Sequence, residues 1–430
     1  MGGGMGGFFT GRTLTDLGRD LRSGDASAAG LLAHAFESVD PELNAFVTLD
    51  REGAEAAAKR ADEELAAGVD RGPLHGVPVG VKDIIDVAGL PTGMGSAHFQ
   101  GKVAESDAAC VTMLRDAGAV IVGKTGTHEF AYGGSGDVSV NGPVRNPHNR
   151  GRMSGGSSSG SGVAVAAGTV PLALGTDTGG SVRIPAAFCG VAGFKPAFGV
   201  IPTGGVFPLS PSFDHVGVLA RSADDCRVAY EALTGAVGEV EGGAVRVAWI
   251  EPQAADPEVV RVARGLFPDA PSERIDLFEL RRIFRAIQDS EAYDVHAERV
   301  ETAPELYQRP TLERLEQAAR TPGWRFVRAM REREQYAREV AELLERYDLL
   351  ALPTLPIVAP EIGETEGPLG SHAPTLVSLT CAWNVLGLPA LSVPAGTVRG
   401  LPVGAQLVTR RGDEGLLFDA AARLAAGVTG

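Results

Sequence analysis

The sequence reads as an α/β protein. Segments with helical spacing alternate with short apolar runs of strand length from residue 13 onward, and no internal repeat interrupts them. The 430 residues are 44% apolar and 22% charged, enough for a large core. Glycine and proline, 57 and 27 residues, exceed average usage yet stay below the roughly 25–30% that marks unstructured Pro/Gly composition. Their excess should therefore be concentrated in particular loops.

Residues 13–67 read as helices. Asp25 or Ser27 can cap a run carrying Leu31, Leu32, Ala35 and Phe36, and an Ala-rich run extends from Arg51 to Ala67. Ala45 to Leu49 is a short strand between them, and Gly76 to Asp86 is a strand apolar on both faces. Ser106 to Ala117 has helical spacing, and Ala119 to Val122 is a buried strand. Residues 133–162 are rich in Gly, Ser, Asn and Pro and read as loop. Val163 to Ala167 opens a helix; Val170 to Leu174 then leads to a second Gly/Ser cluster at 175–181. Val245 to Ile250 is a strand. Residues 256–346 are charged and helix-favouring, and strand-like segments resume at Leu350. That stretch is expected to cover the same sheet rather than form a free domain. Ala390–Val393 and Val403–Val408 are the last strands. The glycine-rich residues 1–10 are expected to be disordered, with Met1 or Met5 as the start.

A formal net charge of −15 disfavours nucleic-acid binding and attachment to an anionic membrane surface. No apolar run approaches the ~20 residues of a membrane span. The N-terminus lacks the basic and apolar regions of a signal peptide, and Gly6 stands where myristoylation wants Ser or Thr. Cys110, Cys189, Cys226 and Cys381 are widely spaced, which suits a reducing cytoplasm. No histidine spacing supports a metal site. Only five of the 39 basic residues are lysine, so each lysine merits a reason.

Two short motifs fit their surroundings poorly. Gly118 to Thr125 matches G-x-x-x-x-G-K-[ST], but Ala119, Val120, Ile121 and Val122 fill the positions where a phosphate loop must curl. They form a strand preceded by a helix, the reverse of the required order. Gly156 to Gly160 matches G-x-S-x-G around Ser158, an elbow that needs a strand running into the serine. Pro143 and Pro147 argue against that strand, although His215, His296 and His372 could formally complete a triad.

A third pattern is spread along the chain. It comprises Lys82, the Gly/Ser run 155–162 and the run Gly175 to Arg183. Alone, Lys82 reads equally as a strand-end lysine reaching solvent, and the first run as a linker. Linkers rarely sit between buried apolar segments, however, and successive glycines at 179–180 let backbone N–H groups converge as an oxyanion hole requires. A serine nucleophile needs a base, and neither run contains a histidine. Lys82, in the apolar segment Val77 to Ile85, can serve if burial lowers its pKa. Asp83 would alternate to the opposite face of a strand.

On these residues the sequence resembles the amidase signature family. The resemblance runs from about residue 10 to the C-terminus and is densest from Gly155 to Pro196. Supporting blocks are Gly76–Asp83, Gly123–Thr125 with Glu129-Phe130, Phe213–Gly217, Leu352–Thr354, and Gly387–Pro389 through Gly404. The resemblance implies one large amidase domain over 11–430, a mixed central β-sheet covered on both faces by helices, with 256–346 a variable cover. It implies an amidohydrolase for a small or medium-sized carboxylic amide, working without cofactor or metal. Ser181 would be the acylated nucleophile, Ser157 the bridging serine after a cis peptide, and Lys82 the base. The N–H groups of Thr178, Gly179, Gly180 and Ser181 would form the oxyanion hole. Ser158, Asp177 and Arg183 would hold the loops, and Tyr132 and Gly133 would border the substrate pocket.

Substrate choice in the family lies in variable segments, here 92–100, 130–135 and 256–346. Amidotransferase subunits of the family usually carry an Asn-Leu-Ala-Arg-Tyr-Asp-Gly-like block, and this chain has none. Some members acting on small dicarboxylates place an Arg three residues after the nucleophile, where this chain has Ile184. A homodimer stays open. So does a second class, the amidase subunit or non-hydrolytic scaffold of an amidotransferase or urea-derivative hydrolase complex.

Overall fold

The computed structural model of the chain describes residues 6–235, 237 and 245–428. Helices α1 (Leu14–Ser23) and α2 (Ala28–Glu37) are capped by Thr13 and Ser27, whose side-chain oxygens accept the N–H groups of Asp16 and Gly30. Ser27 is thus the cap of the second helix, not Asp25. Strand β1 (Phe46–Leu49) and helix α3 (Arg51–Ala66) follow. Strand β2 (Pro78–Lys82) ends at Lys82, short of the expected Asp86, because Ile85 N–H closes a turn on the Lys82 carbonyl at 3.0 Å. Helix α4 (Ala109–Asp116) leads into β3 (Val120–Thr125), so the Walker-like stretch is a buried strand.

Within the segment read as loop, β4 (Arg145–Asn146) and β5 (Asn149–Met153) pair as a ribbon. Helix α5 (Ser159–Ala166) begins four residues before Val163. Its first turn is Ser and Gly, weak helix formers whose small size suits complete burial. Next come β6 (Leu172–Asp177), α6 (Arg183–Cys189), β7 (Ala192–Lys195), β8 (His215–Ala220) and α7 (Ala223–Thr234). Beyond residue 245 lie β9 (Val247–Ile250), α8 (Pro257–Arg264), β10 (Ser272–Glu273), α9 (Leu277–Thr302), α10 (Arg309–Ala318) and α11 (Gly323–Arg346). Strand β11 (Leu349–Pro353) precedes a ribbon of β12 (Glu366–Gly367) and β13 (Gly370–Ser371). Helices α12 (His372–Leu376) and α13 (Cys381–Val385), strands β14 (Ala390–Val398) and β15 (Leu401–Val408), and helix α14 (Glu414–Val428) complete the chain.

Eleven strands form one mixed sheet in the order β1-β3-β2-β6-β8-β7-β14-β15-β11-β9-β10. Strands β3, β2 and β6 run parallel, as do β11, β9 and β10; the remaining neighbours are antiparallel. Successive residues of β7 display the layers on either face. Phe194 packs on Tyr230 of α7 and Phe418 of α14, with ring centroids 5.0 and 4.8 Å away. Gly193 faces α6, where an added Cβ would lie 2.6 Å from that of Ala186. The helices of 257–346 are flanked by β9 and β11, which belong to this same sheet.

The expected disorder of residues 1–10 does not extend to Gly7–Thr10. Phe9 is fully buried, Phe8 stacks on His34, and the N–H groups of Gly7 and Phe9 donate to the Ala167 and Gly168 carbonyls at 2.8 and 3.1 Å. Two apolar rings outweigh the glycines beside them. Residues 1–5, Met5 included, lie outside the described residues. No described helix is long and apolar enough to cross a membrane.

Candidate active site

Lys82 stands at the C-terminal end of the central strand β2 and is fully buried. Its Nζ lies 2.7 Å from Ser157 Oγ and 2.7 Å from Thr176 Oγ1 on the neighbouring β6. Burial pushes its pKa down to about 7, while Asp177 and Asp214 pull the other way. Asp83 does not neutralise it. Beyond the strand end, Asp83 meets Lys124 of β3 at 3.2 Å.

The two Gly/Ser runs meet beside this lysine. The Gly156–Ser157 peptide is cis, as the resemblance implies. Ser158 N–H donates to the Ser181 carbonyl at 3.2 Å, tying one run to the other. Ser158 Oγ donates to the Thr176 carbonyl at 3.0 Å and accepts the Thr176 N–H at 3.1 Å. That hydroxyl fastens β6 to the run, and no histidine bonds it; the elbow reading fails. His215 instead faces the carbonyls of Phe213 and Asp177, and His296 faces the Tyr307 hydroxyl.

Asp177 and Arg183 are wholly buried and bidentate, at 2.8 and 3.0 Å. The guanidinium holds the Asp177 carboxyl well below the usual carboxylate range. Arg183 also donates to the Thr380 carbonyl, Gln406 Oε1 and Asn384 Oδ1, while Asn384 Nδ2 donates to the Asp177 carbonyl and carboxylate. Such a network leaves few polar groups of the pair unmet, the condition under which a buried ion pair is tolerated. Sequence reading found Asp177 and Arg183 but not Asn384 or Gln406. These lie some 200 residues away and carry no local motif.

The oxyanion donors require one correction. Gly180 N–H donates to Asp177 Oδ1 at 2.9 Å and is turned away from any oxyanion. The N–H groups of Thr178, Gly179 and Ser181 meet no protein acceptor among the described residues. Asp177 also accepts the Val182 N–H at 3.1 Å, so its carboxylate folds the loop that presents Ser181. Ser181 itself is nearly buried, 7% exposed. Gly180 has φ +134°, and a Cβ there would collide with Thr380 Oγ1. A Cβ on Gly179 would lie 2.5 Å from Phe284 Cζ of α9, so the cover packs directly on this loop.

Asp214, in the Phe213–Gly217 block but without a role assigned from sequence, also braces the loop. Thr178 Oγ1 donates to Asp214 Oδ1 at 2.6 Å, and Asp214 Oδ2 accepts the Leu209 and Ser210 N–H groups. Ser210 Oγ then donates to Glu291 of α9 at 2.5 Å.

Tyr132 and Gly133 lie in the loop whose Gly134 carbonyl accepts the Gly156 N–H at 2.7 Å. Tyr132 is buried, donates its hydroxyl to Asp289 of α9 at 3.0 Å, and lies under the Arg314 guanidinium. The His128 ring covers Gly133 so closely that a Cβ there would overlap it. Tyr132 thus joins the cis-peptide loop to the cover, whereas Gly133 packs on His128. Among the described residues no cluster of His, Cys, Asp and Glu is arranged to hold a metal ion.

A buried lysine near neutral pKa, a serine within its reach and free amides beside a second serine suit the hydrolysis of amides. A model of the Amidase family matches residues 31–264 and 245–418, and the chain belongs to that family. It is 34% identical to a glutamyl-tRNA(Gln) amidotransferase subunit from Roseiflexus sp. (strain RS-1), with 94% of each chain covered. It is 33% identical to AtzE, the 1-carboxybiuret hydrolase subunit of Pseudomonas sp. (strain ADP), over 93% of this chain and 95% of that one. A crystal structure of an amidase superposes with TM-score 0.90 and 35% identity, over 96% of this chain and 99% of the other.

Proposed function

We propose that the chain hydrolyses a small or medium-sized carboxylic amide through an acyl-enzyme on Ser181, with Lys82 as base and Ser157 as relay. One observation carries this reading: Lys82 Nζ is buried between two hydroxyls at 2.7 Å, and its pKa is lowered to about 7. A neutral amine there accepts the Ser157 proton and donates to Thr176. Ser157 in turn takes the Ser181 proton as Ser181 Oγ attacks the amide carbon. The oxyanion rests on the amides of Thr178, Gly179 and Ser181, each such donor being worth roughly 3 kcal/mol. The relay returns the proton to the leaving nitrogen, and ammonia or an amine departs. Water then takes the same path to release the acid. No step draws on a cofactor.

Four free, buried cysteines support a reducing cytoplasm as the site of action. The similarity to subunits of larger enzymes supports a second reading, in which a partner chain completes the protein. An ammonia-release assay on the purified chain, over aliphatic, aromatic, dicarboxylic and ureido amides, separates the two. Release that is lost in Lys82→Ala is the expected result. Silence across the panel together with co-purification of a partner favours the second reading.

A further inference from the structure

The loop that follows β3 carries a histidine with no part in the relay. His128 is 5% exposed, and its own N–H donates to the Ser157 carbonyl at 3.2 Å. Its Nδ1 accepts the Gly136 N–H at 3.3 Å. Ser135 Oγ, 3.4 Å from Nδ1, gives its proton to Asp137 Oδ1 at 2.5 Å. Nδ1 is therefore an acceptor, and the neutral ring carries its proton on Nε2. Burial holds the ring's pKa down at about 4; the charges of Arg314 and Lys82 add to that effect and Asp137 opposes it. His128 is thus neutral wherever Lys82 can act as a base, with Nε2–H a fixed donor.

That donor is unused and uncovered. Nε2 meets no protein acceptor among the described residues. The Nε2 atoms of His98, His215 and His296 also lack partners, but those are sealed in the interior, whereas that of His128 reaches open space. Gly133 leaves the opening: a Cβ there would stand 2.1 Å from Nε2 and cover it. The backbone at 133 is not left-handed, so conformation does not demand glycine at this position; the ring beside it does.

Two contacts put His128 on the relay side of the site. Its backbone bonds the Ser157 carbonyl, and the loop against its ring holds the Gly156 N–H through the Gly134 carbonyl at 2.7 Å. In the proposed relay Ser157 returns the proton to the leaving nitrogen, so the departing amine must come up against Ser157 and meet this side of the pocket.

We infer that His128 Nε2–H donates to the leaving group, so that the enzyme favours amides whose departing amine carries a carbonyl oxygen one carbon from the nitrogen. This rests on the hydrolase reading above and names a substrate class for that site. A neutral donor suits a neutral oxygen, and a primary amide leaves that donor without a partner from the substrate.

The test compares N-butyrylglycinamide with N-isobutylbutyramide, which are alike in shape and differ in that carbonyl, by kcat/KM for release of the amine. His128→Asn keeps an acceptor near the Nδ1 position and deletes the Nε2 donor; His128→Gln does the reverse. The preference for the glycinamide should fall about fivefold in His128→Asn and persist in His128→Gln, whose thermal midpoint drops with the bond to Gly136. A histidine that only braces its loop gives a different result: His128→Asn keeps the wild-type preference, and the inference is overturned. It is also overturned if the wild type cleaves primary amides but neither of these two. The second arm needs no turnover. Calorimetry compares Ser181→Ala with Ser181→Ala/His128→Asn, and the second change should weaken the glycinamide about fivefold more than the isobutylamide. Equal weakening, or no saturable binding up to about 10 mM, overturns the inference. If no amide turns over but Ser181→Ala discriminates as expected, the hydrolase reading has failed and the His128 contact stands.

Discussion

Replacing Thr176 by Val bears directly on the base. As an ammonium, Lys82 Nζ has three protons but only two acceptors among the described residues, Ser157 Oγ and Thr176 Oγ1. Valine keeps the shape and burial of threonine and deletes one acceptor. A hydrogen bond from a charged donor contributes about 1.5–3 kcal/mol, and from a neutral one about 0.5–1.5 kcal/mol. The difference, roughly 1–1.5 kcal/mol, favours the ammonium, so its loss lowers the Lys82 pKa by about one unit. In the proposed mechanism the neutral amine is the active form. Activity therefore rises with pH through this pKa and levels off above it. The wild-type acid limb should fall near the pKa of about 7, and that of Thr176→Val about one unit lower. The assay is ammonia release between about pH 5 and 9 with substrate well below KM, which reports the free enzyme. An unmoved or raised midpoint in the variant would refute the reasoning. So would a wild-type profile flat across neutrality.

Ser181→Ala should lose turnover by about 10⁶-fold, and a fluorophosphonate should label Ser181 and no other serine on peptide mapping. Asp177→Asn breaks the buried pair with Arg183 and should cost about 3–5 kcal/mol in urea unfolding; an unchanged midpoint counts against the network. Gly180→Ala forces a Cβ onto Thr380 at a left-handed φ and should cut kcat at least about 100-fold, whereas wild-type kinetics would show that the loop gives way freely.

Much of the site was legible because its chemistry sits in local patterns. The glycine runs, the apolar segment around Lys82 and the branched residues of Val120–Val122 each dictate their own backbone, which is why β3 could be told from a phosphate loop. The rest depends on tertiary contacts. Helix α5 starts at Ser159 because burial overrides the poor propensity of Ser and Gly. Gly180 N–H turns to Asp177, an exchange of acceptors that no spacing reveals. Asn384 and Gln406 complete the Asp177–Arg183 network across the sheet, and Phe284 reaches Gly179 from the variable cover. None of these has a signal within its own stretch of chain. Asp214 came closest, standing in a recognisable block whose role emerges only when Thr178 is seen to bond it.

Three of the five lysines are fully buried, and their surroundings give the reason for proposing Lys82 as the base. Lys124 meets Asp83 at 3.2 Å, Thr92 Oγ1 at 2.9 Å and the Pro91 carbonyl at 3.1 Å. Its charge is matched, so it has no call to accept a proton. Lys195 donates to the carbonyls of Pro196 and Leu388 at 3.0 and 2.6 Å. Burial drives its pKa far down, yet carbonyls have no proton to give, so a neutral Lys195 has nothing to deprotonate. Burial lowers the Lys124 pKa too, but its hydroxyl partner is Thr92, whereas Lys82 bonds a hydroxyl on the loop tied to Ser181. Burial outweighs the pull of Asp177 and Asp214 toward the ammonium, and each of these carboxylates has a nearer partner, Arg183 and Thr178. Lys124→Met provides the contrast. It strands Asp83 in the interior and should cost about 3–5 kcal/mol of stability, while the acid limb of kcat/KM stays where Lys82 sets it. A folded Lys124→Met enzyme with a displaced acid limb would show that the base is shared between the two lysines, and the single-lysine mechanism would fall.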